Sequence, residues 1–299
     1  MTINGKGQKL VIAWAWLSAS AILGAMMLVV IFLLFRGAAA LNLRLIFGDT
    51  PALEALFLLR PVFDGLLPAM AGTLMLVLAA VAMALPVGLA AGIYLAEYSR
   101  GAIKIFFSML FDVLAGIPSI VIGLFGFSLA VFMHRYLSDR ISPCLLISAL
   151  SLAFLVLPYL IRSTQTALEG LPTRIRLIAP ALGATHLQNI VLVLLPHALR
   201  SIMSGVALAI GRCAEDTAVI MLTGAVAAAG MPRGLLSSYE ALPFYIYYIS
   251  SQYADAQELL RGYGAAIVLL TLCLFLFGIS ALIQKILTAR LQGRWRGPA

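Results

Sequence analysis

The chain has 299 residues, of which 63% are apolar and 11% charged, and its mean hydropathy is +1.05. Water-soluble domains carry about 45–50% apolar and about 25% charged residues, so composition excludes a soluble globular protein and indicates an all-α polytopic membrane protein. The net charge of +8 does not call for a nucleic-acid partner, because the basic residues stand at the edges of apolar runs, where membrane orientation accounts for them.

A chain of this length accommodates about six membrane-crossing helices with short loops. The apolar runs place them at 10–35, 68–94, 110–133, 144–161, 201–226 and 263–287. The first follows Lys6 and Lys9 and is 26 residues long, beyond the roughly 7–15 of a secretory h-region, so it reads as an uncleaved span after a cytoplasmic N-terminus, 1–9. Asp49, Thr50 and Pro51 signal a turn in the loop that follows. A core of five spans then occupies 68–299, with a long polar loop at 162–200. Pro86 is expected to kink the second span, and Gly116 and Pro118 to bend the start of the third.

Charge orients the bundle. With both termini in the cytoplasm, inner segments hold 12 of the 20 basic residues, among them Arg100, Lys104, Arg162, Arg174, Arg176, Arg200, Lys285, Arg290, Arg294 and Arg296. Outer loops hold 7, including Arg60, Arg140 and Arg261, offset by 7 acids that include Glu54, Asp64, Asp139 and Glu240. That excess satisfies the positive-inside rule. The tyrosines of 239–253 in the last outer loop suit a membrane interface, where a ring is half wet. Cys144, Cys213 and Cys273 fall within apolar runs without metal-ligand spacing, and His134, His186 and His197 are scattered, so the pattern implies neither a metal nor a cofactor.

The fifth run, 201–226, carries Arg212, Glu215 and Asp216 near its middle, followed by Thr217. Each charge costs roughly 2.5–3.5 kcal/mol at the centre of a membrane helix. On a helix the three fall within an arc of about 100°, which should face protein or a wet path. Arg212 has i,i+3 spacing to Glu215 and i,i+4 spacing to Asp216, so the cluster reads either as an internal ion pair or as the lining of a substrate path. Two acids against one base leave an acid to be accommodated elsewhere.

The loop at 162–200 is the second informative stretch. Pro172 suits the first turn of a short helix through Leu177, Ile178 and Leu182, and Gly183 suits its end. Thr185 then caps a second helix, 187–195, which Pro196 is expected to end. Such a glycine-bent elbow with apolar knobs fits a socket on another protein, or lies flat on the membrane surface.

At this point the chain resembles a known family. Ala181-Leu182-Gly183-Ala184-Thr185, with Leu195-Pro196 downstream, is similar to the coupling loop of ABC-importer permeases, whose fold is MetI-like. Gly72-Thr73-Leu74, Gly92–Tyr98, Leu114–Phe125 and Leu157-Pro158 narrow the resemblance to the phosphate-transport, PstA-type branch. Two departures stand out. The loop's usual Glu-Ala-Ala reads Leu177-Ile178-Ala179, and the branch's Arg-x-x-Gly-Glu-Thr-Ala-Pro reads Arg212-Cys213-Ala214-Glu215-Asp216-Thr217-Ala218-Val219.

The resemblance implies a permease of the bacterial inner membrane that works with a second, PstC-like permease, a dimer of PstB-like ATP-binding subunits and a PstS-like phosphate-binding protein. It assigns Leu177, Ile178, Ala181, Leu182, Gly183, Ala184, Thr185, Leu195 and Pro196 to ATPase coupling, and Arg212, Glu215, Asp216 and Thr217 to the substrate path. Sulfate, molybdate or tungstate remain alternative cargoes. None of Lys6, Lys9, Lys104 and Lys285 precedes a Ser or Thr, so the chain lacks a Walker A loop and is not itself expected to hydrolyse ATP. A proton-driven carrier using Glu215 and Asp216 is the main rival, although such carriers usually contain internal repeats.

Overall fold

A computed structural model describes residues 5–48, 50, 65–138 and 142–293. Asp49 and Pro51 of the predicted turn lie outside them, as do Glu54, Arg60, Asp64, Asp139, Arg140, Arg294 and Arg296 of the charge pattern. Among the described residues the chain is helical, with no strand beyond an isolated bridge between Ala225 and Tyr239.

Helix α1 (Gly5–Gly37) leads through a short 3-10 turn into α2 (Leu43–Phe47). Helix α3 (Leu67–Ile93) ends in a π turn at Tyr94–Tyr98. Helices α4 (Gly101–Ala115), α5 (Ser119–Tyr136) and α6 (Leu145–Glu169) follow. The short α7 (Thr173–Ala181) and α8 (His186–Asn189) come next, and a second π turn, Ile190–Leu194, joins α8 to α9 (Leu195–Glu215). Helices α10 (Ala218–Thr223), α11 (Leu242–Gln252) and α12 (Ala256–Gly293) complete the chain.

Six helical stretches among the described residues are long and apolar enough to cross a bilayer, at Gly7–Ala40, Leu67–Tyr98, Ser119–Tyr136, Leu145–Glu169, His186–Glu215 and Ala256–Ala289. They correspond in order to the six runs of the sequence. Helix α6 is the hub, with 67% of its most apolar stretch buried, whereas α1 has 0% of its most apolar stretch buried and packs chiefly on α12.

Helices α3 and α6 meet along small residues. A β-carbon on Gly88 would lie 2.7 Å from Leu160 Cβ, and one on Gly92 would lie 2.6 Å from Thr164 Cβ and 2.8 Å from the Ile161 carbonyl. Small residues let membrane helices approach closely, and close approach supplies the dispersion contacts that hold them without a hydrophobic drive. Gly92→Val is therefore expected to destabilise the subunit by about 1–3 kcal/mol, read as a shift in its unfolding midpoint in detergent. An unchanged midpoint would contradict this packing.

Two spans differ from the sequence expectation. The third does not run continuously over 110–133. It divides at Gly116–Pro118 into α4 and α5, because Pro118 disfavours helical geometry at Ile117. The fifth does not occupy 201–226 as one helix. It begins at His186 and stops at Glu215, and α10 follows as a separate piece. Pro196 does not end the helix as expected. It sits in the first turn of α9, where its missing N–H is least costly, directly after the π turn. Pro86 lies inside the continuous α3.

The segment after α10 folds back as a cap over the bundle. Leu145 and Leu146 donate backbone bonds to Ser237 and Leu235 at 3.1 and 2.7 Å, and Leu242 N–H donates to Thr73 Oγ1 at 2.9 Å. Gly230 N–H donates to Glu240 Oε1 at 2.7 Å. Burial pushes the Glu240 carboxyl above its ordinary range, opposed by backbone N–H bonds from Gly230 and Ala229. Tyr239 is fully buried rather than interfacial, whereas Tyr247, Tyr248 and Tyr253 are exposed.

Candidate functional site

Irregular backbone gathers at one level of the bundle, near the middle of α6. Tyr159, one residue after Pro158, donates through its hydroxyl to the Ala115 carbonyl at 3.4 Å, where α4 ends. The Gly88–Leu160 contact sets Pro86 of α3 at the same height. Tyr159 also lies near the Arg212 guanidinium, three residues before α9 ends. Membrane proteins tolerate broken helices at such depth where the freed polar groups are buried in protein or line a wet cavity.

The end of α9 is set by Asp216. Its backbone turns extended, with φ −74° and ψ 116°, and its Oδ1 accepts the Val219 N–H at 2.9 Å. An aspartate that captures the amide three residues on competes with helix continuation and starts a new helix. Helix α10 then lies against two glycines of α5. A β-carbon on Gly123 would come 3.0 Å from the Ala218 carbonyl, and one on Gly126 would come 2.7 Å from Thr223 Cγ2. Gly224, with φ +153°, ends α10 against the Cys144 backbone.

Arg212 joins both acids. Its Nη1 donates to Glu215 Oε1 at 2.9 Å, and its Nη2 stands 3.5 Å from Asp216 Oδ2. The Asp216 side chain is 2% exposed, Arg212 34% and Glu215 64%. The acid in excess thus divides its labour from the other. Asp216 braces the backbone and the arginine from inside, while Glu215 and one edge of the Arg212 fork stay open. Asp216 caps the helix yet keeps its i,i+4 contact with Arg212, so the three charged groups stay together as their spacing predicts. Thr217 is half-buried at the break.

Sequence reading missed what accompanies Arg212. Residues His197, Ser201, Ser204, Leu208 and Glu215 are exposed and recur at spacings of three, four or seven, so with the part-exposed Arg212 they form one exposed seam along α9, polar at both ends with Leu208 between. At the elbow end the seam opens on a cavity of about 470 Å³, lined by Thr166, His197, Arg200, Ser201 and Ser204 among others. The signal was present in the sequence as a period, yet serines are too weakly polar to interrupt an apolar run.

The elbow forms as the turn chemistry predicts. Gly183 takes φ +82°, Ala184 N–H returns to the Ala179 carbonyl at 3.0 Å, and Thr185 and Gln188 make a reciprocal capping box. Leu177, Ile178 and Leu182 are 59%, 52% and 84% exposed, and Ala181 and Gly183 are exposed beside them. Ala184, Leu195 and Pro196 are half-buried, and Leu195 packs inward on Leu168, Ile190 and Leu194, so the structure separates it from the exposed knobs. The elbow is tied to the bundle through Arg176, which bonds Glu97 Oε1 at 2.7 Å and the Leu168 carbonyl, while Asn189 donates to the Arg176 carbonyl at 3.0 Å.

A bundle of broken apolar helices with a protruding elbow defines the inner-membrane subunits of binding-protein-dependent transport systems, and the model of that family matches residues 88–292. The chain belongs to this family. It is 33% identical to the phosphate transport system permease protein PstA of Haemophilus influenzae over 247 residues, 82% of this chain and 83% of that one. It is 32% identical to the phosphate transport system permease protein PstA 1 of Mycobacterium tuberculosis, covering 76% of this chain and 72% of that one. Among solved structures, the inward-facing MetNI methionine ABC transporter aligns over 75% of this chain and 96% of its own with a TM-score of 0.60 at 18% identity. A bacterial alginate ABC transporter aligns over 92% and 98% with a TM-score of 0.56 at 14% identity, which establishes the shared permease fold. Membership makes this chain a transport subunit that works with an ATP-hydrolysing partner and a substrate-binding protein.

Proposed function

We propose that this chain is the PstA-type permease of an ATP-driven phosphate importer. The observation that carries the reading is the half-open Arg212 at the broken end of α9, beside an exposed Glu215, a charged pair that is costly against lipid. The guanidinium presents a planar fork of donors suited to a phosphate oxygen pair. Glu215 beside it repels a dianion and keeps binding weak enough for release. A second, PstC-like permease completes the wet path opposite the seam, and a PstS-like binding protein delivers phosphate at the capped end.

The elbow end faces the cytoplasm, with both termini on that side, as the positive-inside excess argues. The knobs Leu177, Ile178 and Leu182 seat in a PstB-like ATPase dimer, and Arg176 passes its motion through Glu97 to α3 and through the Leu168 carbonyl to α6. The missing loop glutamate at Leu177-Ile178-Ala179 leaves apolar contact to carry the docking.

The test is substrate-stimulated ATPase activity of the reconstituted complex with phosphate, sulfate, molybdate and tungstate. Stimulation by phosphate above the others supports the reading, and stimulation by another oxyanion alone would overturn it.

A further inference from the structure

At the elbow end, a cleft of about 400 Å³ opens between α9 and α12, lined by Arg200, Ala281, Gln284, Lys285, Thr288 and Ala289. That volume lies within the roughly 300–1,000 Å³ of small-ligand sites. Gln284 Nε2 donates to the Arg200 carbonyl at 3.2 Å and so ties the two walls, while the Thr288 hydroxyl donates to the Gln284 carbonyl at 2.7 Å within α12. Arg200 and Lys285 have no ion-pair partner among the described residues, and the acids at this end are already engaged. Glu97 holds Arg176, Asp112 holds Arg162, and Glu169 holds Lys104. Two unmatched cations therefore share a cleft without an anion.

The rim of the cleft is apolar. Leu282 and Ile286, which flank Lys285 and Ala289 on α12, are 57% and 45% exposed. A ligand that satisfies both surfaces has an anionic head and a hydrocarbon body, and basic pockets between spans on the cytoplasmic side are suited to phospholipid headgroups. We propose that this cleft binds the phosphodiester headgroup of an anionic phospholipid, with Arg200 and Lys285 on the phosphate and the acyl chains along Leu282 and Ile286. Placing that lipid in the cytoplasmic leaflet rests on the orientation argued above. Free inorganic phosphate shares the headgroup's charge but has nothing to lay on the apolar rim.

Native mass spectrometry of the full complex in detergent tests this. Wild type is expected to retain phosphatidylglycerol over phosphatidylcholine. R200Q/K285Q is expected to lose that retention about tenfold or more, with R200Q and K285Q each losing part of it. R200K/K285R should keep it, and R233Q, a charge removed from the cap at the opposite end of the bundle, should not change it. Undiminished retention in R200Q/K285Q, an equal loss in R233Q, or displacement of the lipid by millimolar inorganic phosphate would each overturn the proposal. The measurement is made in detergent without transport, so its failure would leave the orientation and the importer reading standing.

Discussion

Arg212→Ala is expected to lower phosphate uptake about 10- to 100-fold, the loss that follows from removing charge-assisted donors worth about 1.5–3 kcal/mol to a bound anion. The same change strips Asp216 of its cationic neighbour while that carboxylate stays 2% exposed. Leaving one partner of a buried pair is costly, so the single variant alone would confuse transport with stability. Arg212→Ala with Asp216→Asn separates the two, because the amide oxygen still accepts the Val219 N–H without a buried charge. If the double variant assembles as a monodisperse complex yet stays defective in uptake, Arg212 meets the cargo. If its uptake recovers to wild type, the arginine serves only as a brace. Arg212→Lys keeps the charge and loses the fork, and an intermediate rate is expected. Glu215→Gln removes the exposed negative charge beside the path, and the half-saturating phosphate concentration should fall.

The second large effect lies at the elbow. Leu182→Asp places a charge on the most exposed knob, and truncating or charging such an anchor commonly costs 2 kcal/mol or more, about 30-fold in association. The ATP-binding subunit should then fail to copurify with the permease. Arg176→Ala leaves the knobs intact but cuts the links to Glu97 and the Leu168 carbonyl. Copurification should persist there while uptake per ATP hydrolysed drops. A variant at Arg176 that transports normally would show that motion reaches the spans by another route. Loss of docking in both variants would show that Arg176 shapes the knobs rather than transmitting from them.

The elbow was legible in the sequence because its turn depends on single residues with few alternatives. A glycine at φ +82° and a threonine with glutamine three residues on say the same thing in one dimension as in three. The number of crossings was legible because apolar length is a coarse quantity. What stayed hidden was where crossings break. The run at 201–226 contains no glycine or proline near Asp216, and the break there depends on one carboxylate choosing the Val219 amide over solvent, a contest that hydropathy does not register. Pro196 misled for the opposite reason. Proline usually stops a helix, but the five-residue π turn before it accommodates the ring and lets the helix pass. Arg212, Glu215 and Asp216 were found by their cost in a membrane, while Tyr159 and the serines of α9 were not, because each is unremarkable on its own line of sequence.

The seam along α9 has a consequence for the life of the polypeptide. A crossing that shows histidine, serines and a half-open arginine to its surroundings is poorly matched to acyl chains. On the proposed pairing with a second permease, a copy made without it is expected to turn over faster than an assembled one, read by pulse-chase.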